Sequence, residues 1–207
     1  RTRVTAPPLE TDLRTVEVDA TIDGDANARF DVSETFRGAG AALWRTQLES
    51  IPSANLESAF DEGYVSRILP GAHMTSLRIS GREELDQPLV LHYEFEVEDI
   101  GHENHGRRML PAFVPTQLTN AFARLASREI EQVISPTLAL DVMIHVHVPA
   151  GAEVSSLPDT EAELGGPHDA TARYATARSD DGFTLERHVR IPRMRVRPTE
   201  YDAFAGF

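Results

Sequence analysis

Any chemistry in this chain must come from histidine, carboxylate, arginine and hydroxyl groups, because it has no cysteine. Disulfides, thiolate metal sites and a cysteine nucleophile are thereby excluded, and the redox compartment stays open. The densest group of potential metal ligands is Glu98, Asp99, His102, Glu103 and His105. Imidazole and carboxylate together suit zinc or manganese. The competing reading is a solvated loop between strands in an acid-rich chain. His145 and His147 form a second candidate pair, two residues apart on one strand face, with Asp141 behind them. That spacing permits chelation. The opposite strand face is apolar, so the pair is expected to meet solvent or a partner. Arg193, Arg195 and Arg197 line one face of a strand-like segment. Such a row suits an anion or an acidic partner, or it is an exposed row paired with nearby acids.

Gly38-Ala39-Gly40 follows a strand and opens a helix, as a dinucleotide fingerprint does. Leu43 stands where the third glycine belongs and no parallel βαβ unit follows, so a tight strand-to-helix turn is the expectation. There is no Gly-x-Ser-x-Gly elbow for a serine hydrolase. Carboxylates abound, but nothing marks two of them as converging in a cleft. No catalytic or cofactor-binding residue is therefore assigned. The metal candidates are His102, Glu103, His105, His145 and His147.

Composition narrows the function classes. The chain has 207 residues, with 41% hydrophobic and 26% charged, ordinary values for a globular protein. The formal net charge of -13 opposes phosphate backbones, so no nucleic-acid partner is expected. All its basic residues besides histidine are arginine, which reads as a coding bias rather than a function. No apolar run approaches a membrane helix, and no membrane insertion is expected. The chain opens at Arg1 with no apolar signal core, which reads as an excised or processed piece. Aromatics are 7% and fall mostly on buried stripes, so no groove lined by exposed aromatics is expected.

The elements that must position these residues are mostly strands. Val16, Val18, Ala20 and Ile22 alternate with polar neighbours, the period of a half-buried strand. Asp23-Gly24-Asp25 supplies turn chemistry, and Ala28, Phe30, Val32 and Phe36 complete a hairpin. Ala41, Trp44, Leu48 and Ile51 fall at helical spacing until Pro52. Leu56, Phe60 and Tyr64 suggest a second short helix. Strands return at 75–79 and 88–98, followed by a polar loop at 99–107 and an ambiguous stretch at 108–126. Leu138 to Val148 alternate without a break. Two further strands lie around 172–176 and 183–189, with Ser179-Asp180-Asp181-Gly182 as their turn. Pro198 to Tyr201 starts a C-terminal helix.

The order of motifs resembles a known region. Val16–Ile22 with Asp23-Gly24, Gly38 with Ala41-Ala42 and Arg45, and Leu69-Pro70-Gly71-Ala72 come first. Asp86-Gln87-Pro88-Leu89, Arg128, Val148-Pro149-Ala150-Gly151, Leu157-Pro158 and Glu200-Tyr201 with Phe204 follow. Together they look like the β-rich region that follows the papain-like transglutaminase domain in large bacterial envelope proteins. The resemblance runs from about Thr15 to Phe207. It implies an extracytoplasmic setting, a sandwich-like fold and a reactive Cys, His and Asp set in a neighbouring domain. No residue here matches that set. The His-rich loop Gly101–Arg108 departs from the pattern.

The expected fold is all-β, mainly antiparallel and sandwich-like, with two short helices in the first half and one at the C-terminus. The expected organisation is a linker at 1–13, a first β subdomain at 14–120 and a second at 121–207. The expected function is that of a non-catalytic accessory domain. It would pack on an adjacent catalytic domain of the same chain or another protein, or assist its substrate binding. The alternatives are a glycan- or peptide-binding module, or a metal-binding domain using His102 and His105 or His145 and His147.

Overall fold

The computed structural model describes residues 8–114, 118–135, 137–158 and 161–207. Residues 1–7 of the expected linker lie outside them. Residues Leu9–Asp12 form a 3-10 turn that leads directly into the first strand.

Strands β1 (Leu13–Ile22) and β2 (Ala28–Phe36) form the expected hairpin. The Asp23 carboxylate closes its turn by accepting from the backbone N–H groups of Asp25 and Asn27, each at 2.9 Å, the Asx geometry that makes aspartate a turn residue. Helix α1 (Gly38–Glu49) ends before Pro52. The next helical stretch is composite: α2 (Leu56–Phe60), a π-helical turn (Asp61–Val65) and α3 (Ser66–Ile68). Strands β3 (His73–Ser80) and β4 (Leu89–Val97) follow. The loop between them is pinned by Arg45 of α1. Its buried guanidinium donates to the carbonyls of Gly81, Glu84 and Gln87 at 2.7–3.0 Å.

The segment expected as a polar loop at 99–107 is instead a small hairpin of β5 (His102–Asn104) and β6 (Arg107–Met109). The ambiguous stretch after it holds α4 (Leu118–Phe122). Strand β7 (Gln132–Ile134) comes next, then β8 (Leu138–His147) and β9 (Glu161–Gly165). Strands β10 (Thr171–Ser179) and β11 (Gly182–Ile191) form a second long hairpin. Strand β12 (Met194–Val196) pairs with β7, and helix α5 (Tyr201–Ala205) ends the chain.

Eight strands make one sheet in the order β3-β4-β2-β1-β8-β11-β10-β9. The segments 14–120 and 121–207 supply four strands each. They meet where β1 runs parallel to β8, with Val16 opposite Val142 and Asp19 opposite His145. The other neighbours in this sheet pair antiparallel. The architecture is therefore β-rich, with a large mixed sheet and a few short helices.

Alternation explains the layering. Val16, Val18, Ala20, Phe30, Val32, Leu91, Tyr93, Phe95, Val142, Ile144 and Val146 are buried on one sheet face. That face packs in a single core cluster with Ala41 and Leu48 of α1, Phe60, Val65, Phe113, Ile134, Val196, Tyr201 and Phe204. The helices, β7, β12 and the C-terminus thus lie on one side of the sheet. A mainly antiparallel sheet tolerates a wet second face, and here that face carries Glu17, Asp19, Arg29, Asp31, Glu96 and His145, all exposed.

Candidate functional site

The expected glycine turn is a structural junction. Gly38 opens α1 at φ +54°, and a Cβ there would lie 2.5 Å from the Thr11 carbonyl oxygen. Asp12 accepts the Ala39 N–H at 2.8 Å, and its other oxygen accepts the Thr137 hydroxyl at 3.1 Å. A carboxylate of this chain thus occupies the helix start that a pyrophosphate would need. It also ties the first half to the second.

The wet sheet face gathers ion pairs from strands far apart in sequence. His147 lies between two carboxylates, with Nδ1 2.6 Å from Asp181 and Nε2 3.3 Å from Asp19. The Asp181 hydrogen bond, aided by Asp19, holds the His147 imidazole above its ordinary pKa. His147 in turn holds Asp181 below the usual carboxylate range. His145 is exposed one pleat away, and the two imidazoles share no described metal cluster. Asp141 does not join them. It takes the His188 imidazole and the Arg190 guanidinium, each at 2.8 Å. Partial burial pushes Asp141 up, but those two partners prevail and lower it.

His102, Glu103 and His105 are exposed on the β5–β6 hairpin. Arg108 holds that hairpin through Asp99 at 2.7 Å, with Glu103 at 3.9 Å. Among the described residues, one group of three brings ligand atoms within 4.8 Å of one another: Asp31, His92 and Glu94. Asp31 and Glu94 are cross-strand partners and His92 is one pleat from Glu94, a set with divalent-cation chemistry. Arg29 occupies Glu94 and lowers its pKa by hydrogen bonding, and Asp31 lies 3.6 Å from His92. In the arginine row, Arg195 pairs with Glu131 and Arg197 with Glu200. The Arg197 contact pulls Glu200 down to about 2.

On the covered face, the unexpected group is Glu34, 1% exposed. Its Oε1 accepts the hydroxyls of Tyr64 and Tyr93, each at 2.6 Å, and its Oε2 accepts two Arg14 donors at 2.6 and 2.9 Å. Burial, with the adjacent Glu34 charge, drives both tyrosine hydroxyls well above their ordinary pKa. They are donors here, not bases. One signal in the sequence pointed to the carboxylate: period two places Glu34 in line with Phe30, Val32 and Phe36. Its partners lie 20 to 59 residues away and gave no local sign.

An open groove lies on the covered side of the sheet, and the aromatics along it are buried or half-buried rather than exposed. Trp44, Phe60 and Tyr64 line it between α1 and the α2–α3 stretch. The aromatic count was low, but helical packing concentrates these three.

The chain matches no protein-family model, no curated protein and no solved structure. Among the described residues, no helix is long and apolar enough to cross a membrane.

Proposed function

We propose that the chain is a non-catalytic accessory domain that docks a neighbouring catalytic domain through the wet face of its eight-stranded sheet. The observation that carries this reading is that face itself. It belongs to an eight-stranded sheet, mixes acids, histidines and arginines, and leaves Glu17, Asp19, Arg29, Asp31, Glu96 and His145 exposed. Mixed charge gives register and partner choice more than raw affinity. Its side chains pair with one another in ion pairs, which favours recognition over turnover.

The resemblance in motif order supports a transglutaminase-like catalytic domain as the partner and an extracytoplasmic setting. Docking would make the open sheet one layer of a sandwich-like assembly. The test is calorimetric binding of the chain to the catalytic domain it accompanies. Reversing Glu17→Arg together with Asp31→Arg should weaken binding at least tenfold without lowering the melting temperature. Affinity unchanged by the double reversal would overturn the reading.

A further inference from the structure

The groove between α1 and the α2–α3 stretch lies on the opposite side of the sheet from the docking face. It has a cavity volume of about 480 Å³, within the span of small-molecule sites, roughly 300–1,000 Å³. Leu43, Leu48, Ile51, Phe60 and Ala59 give it apolar walls. Leu43 stays 60% exposed on the rim, an uncovered apolar side chain beside an indole.

The aromatic floor is held in place before any ligand arrives. Trp44 meets Tyr64 edge-on at 5.1 Å, and Phe60 meets Tyr64 at 4.8 Å. The Tyr64 hydroxyl is anchored to the buried Glu34 carboxylate at 2.6 Å. Preformed walls reduce the ordering cost of binding. Tyr64 and Gly63 come from the π-helical turn Asp61–Val65, a feature frequent at functional sites. Gly63 has nothing within 4 Å of where a Cβ would stand. The missing side chain therefore leaves open space rather than relieving a clash.

Charge selects the occupant. Arg67 is the one charged residue among those lining the groove. It is exposed and has no ion-pair partner among the described residues, in a chain of net charge -13. Most other arginines described above are engaged with carboxylates or carbonyls.

We infer that this groove binds a small amphiphilic monocarboxylate, its apolar chain against Leu43, Trp44 and Ile51 and its carboxylate at Arg67. The site does not rest on the docking reading, and loss of one leaves the other standing. Trp44 is the sole tryptophan of the chain, so its fluorescence reports occupancy directly.

The experiment titrates the whole chain with decanoate, decanol and decyltrimethylammonium below their micelle concentrations, following Trp44 emission. Decanoate should give a saturable blue shift, with decanol about fivefold weaker, the size of one exposed charge contact, and the cation weaker still. Arg67→Gln should bring decanoate to the affinity of decanol. Gly63→Leu should fill the groove and abolish the shift, with an unchanged melting temperature. Equal affinities for the three probes, or undiminished decanoate binding in Gly63→Leu, would overturn the proposal. Absence of any saturable shift in the unaltered chain would do the same. Arg67 is exposed, so Arg67→Gln keeps the test decisive even where Gly63→Leu fails to fold.

Discussion

The Glu34 carboxylate, on the buried face between Val32 and Phe36 and opposite Val16 and Leu91, survives because three side chains converge on it. Desolvating an ion costs several kcal/mol, which an excellent set of hydrogen bonds must offset. Glu34 has that set in Arg14, Tyr64 and Tyr93. Removing one neutral donor is therefore expensive. Tyr93→Phe should lower the unfolding free energy by about 2 kcal/mol in urea titration, the range for a hydrogen bond to a charged group. Glu34→Ala should cost more, because it strands two buried hydroxyls. His147 supplies a pH-dependent counterpart on the wet face. Its folded pKa is raised, so its stabilisation is complete below the ordinary value of about 6.5. That contribution is lost as pH rises through the higher folded value. His147→Gln should accordingly lower the melting temperature more at pH 5.5 than at pH 8.5. An equal loss at both would deny the Asp181 and Asp19 contacts. At this scale the sequence showed the inward position of Glu34 but not its partners. The alternation of β2 is local, whereas Arg14, Tyr64 and Tyr93 reach it through the pairing of β1, β2 and β4 and the packing of the π turn.

Elements were legible wherever a period ran long enough to be read. β1, β2, β4 and β8 each alternate over nine or ten residues, and β10 and β11 show the period over shorter stretches around 172–176 and 183–189. The three-residue strands β5, β6, β7 and β12 are too short to show a period. Edge strand β9 is mostly exposed and lacks an apolar face. The π turn left no trace in helical spacing either, since Phe60 and Tyr64 suit an ordinary helix. The α1 start combines both cases. Its glycine was evident, but the capping Asp12 belongs to an earlier turn. Asp12→Ala should cost about 1 kcal/mol, the usual weight of an N-cap. Gly38→Ala should cost more than that, because it adds a Cβ 2.5 Å from a carbonyl to a residue at φ +54°. Chemical denaturation of the two variants checks both, and an Asp12→Ala loss near zero would detach Asp12 from the helix.

At the scale of the whole molecule, the decisive contact is the parallel pairing of β1 with β8. It joins strands more than a hundred residues apart, and no local pattern encodes it. Composition and alternation predict a β-rich chain with a wet face; they do not say that both halves share one sheet. The core cluster also runs through both halves. Trp44 fluorescence and far-ultraviolet circular dichroism should therefore trace coincident urea transitions, the mark of a cooperative unit. Separated midpoints would split the sheet at the β1–β8 seam. The exposed charged stretch of the sheet is the observation behind the proposed docking role. The most direct measurement compares transamidation rates for the chain alone, the transglutaminase-like domain proposed as its partner alone, and the two combined. No turnover by the chain alone, and a changed rate or KM when it joins that domain, are the expected results. Turnover by the chain alone that scales with its concentration, or a catalytic domain indifferent to it, would contradict the account.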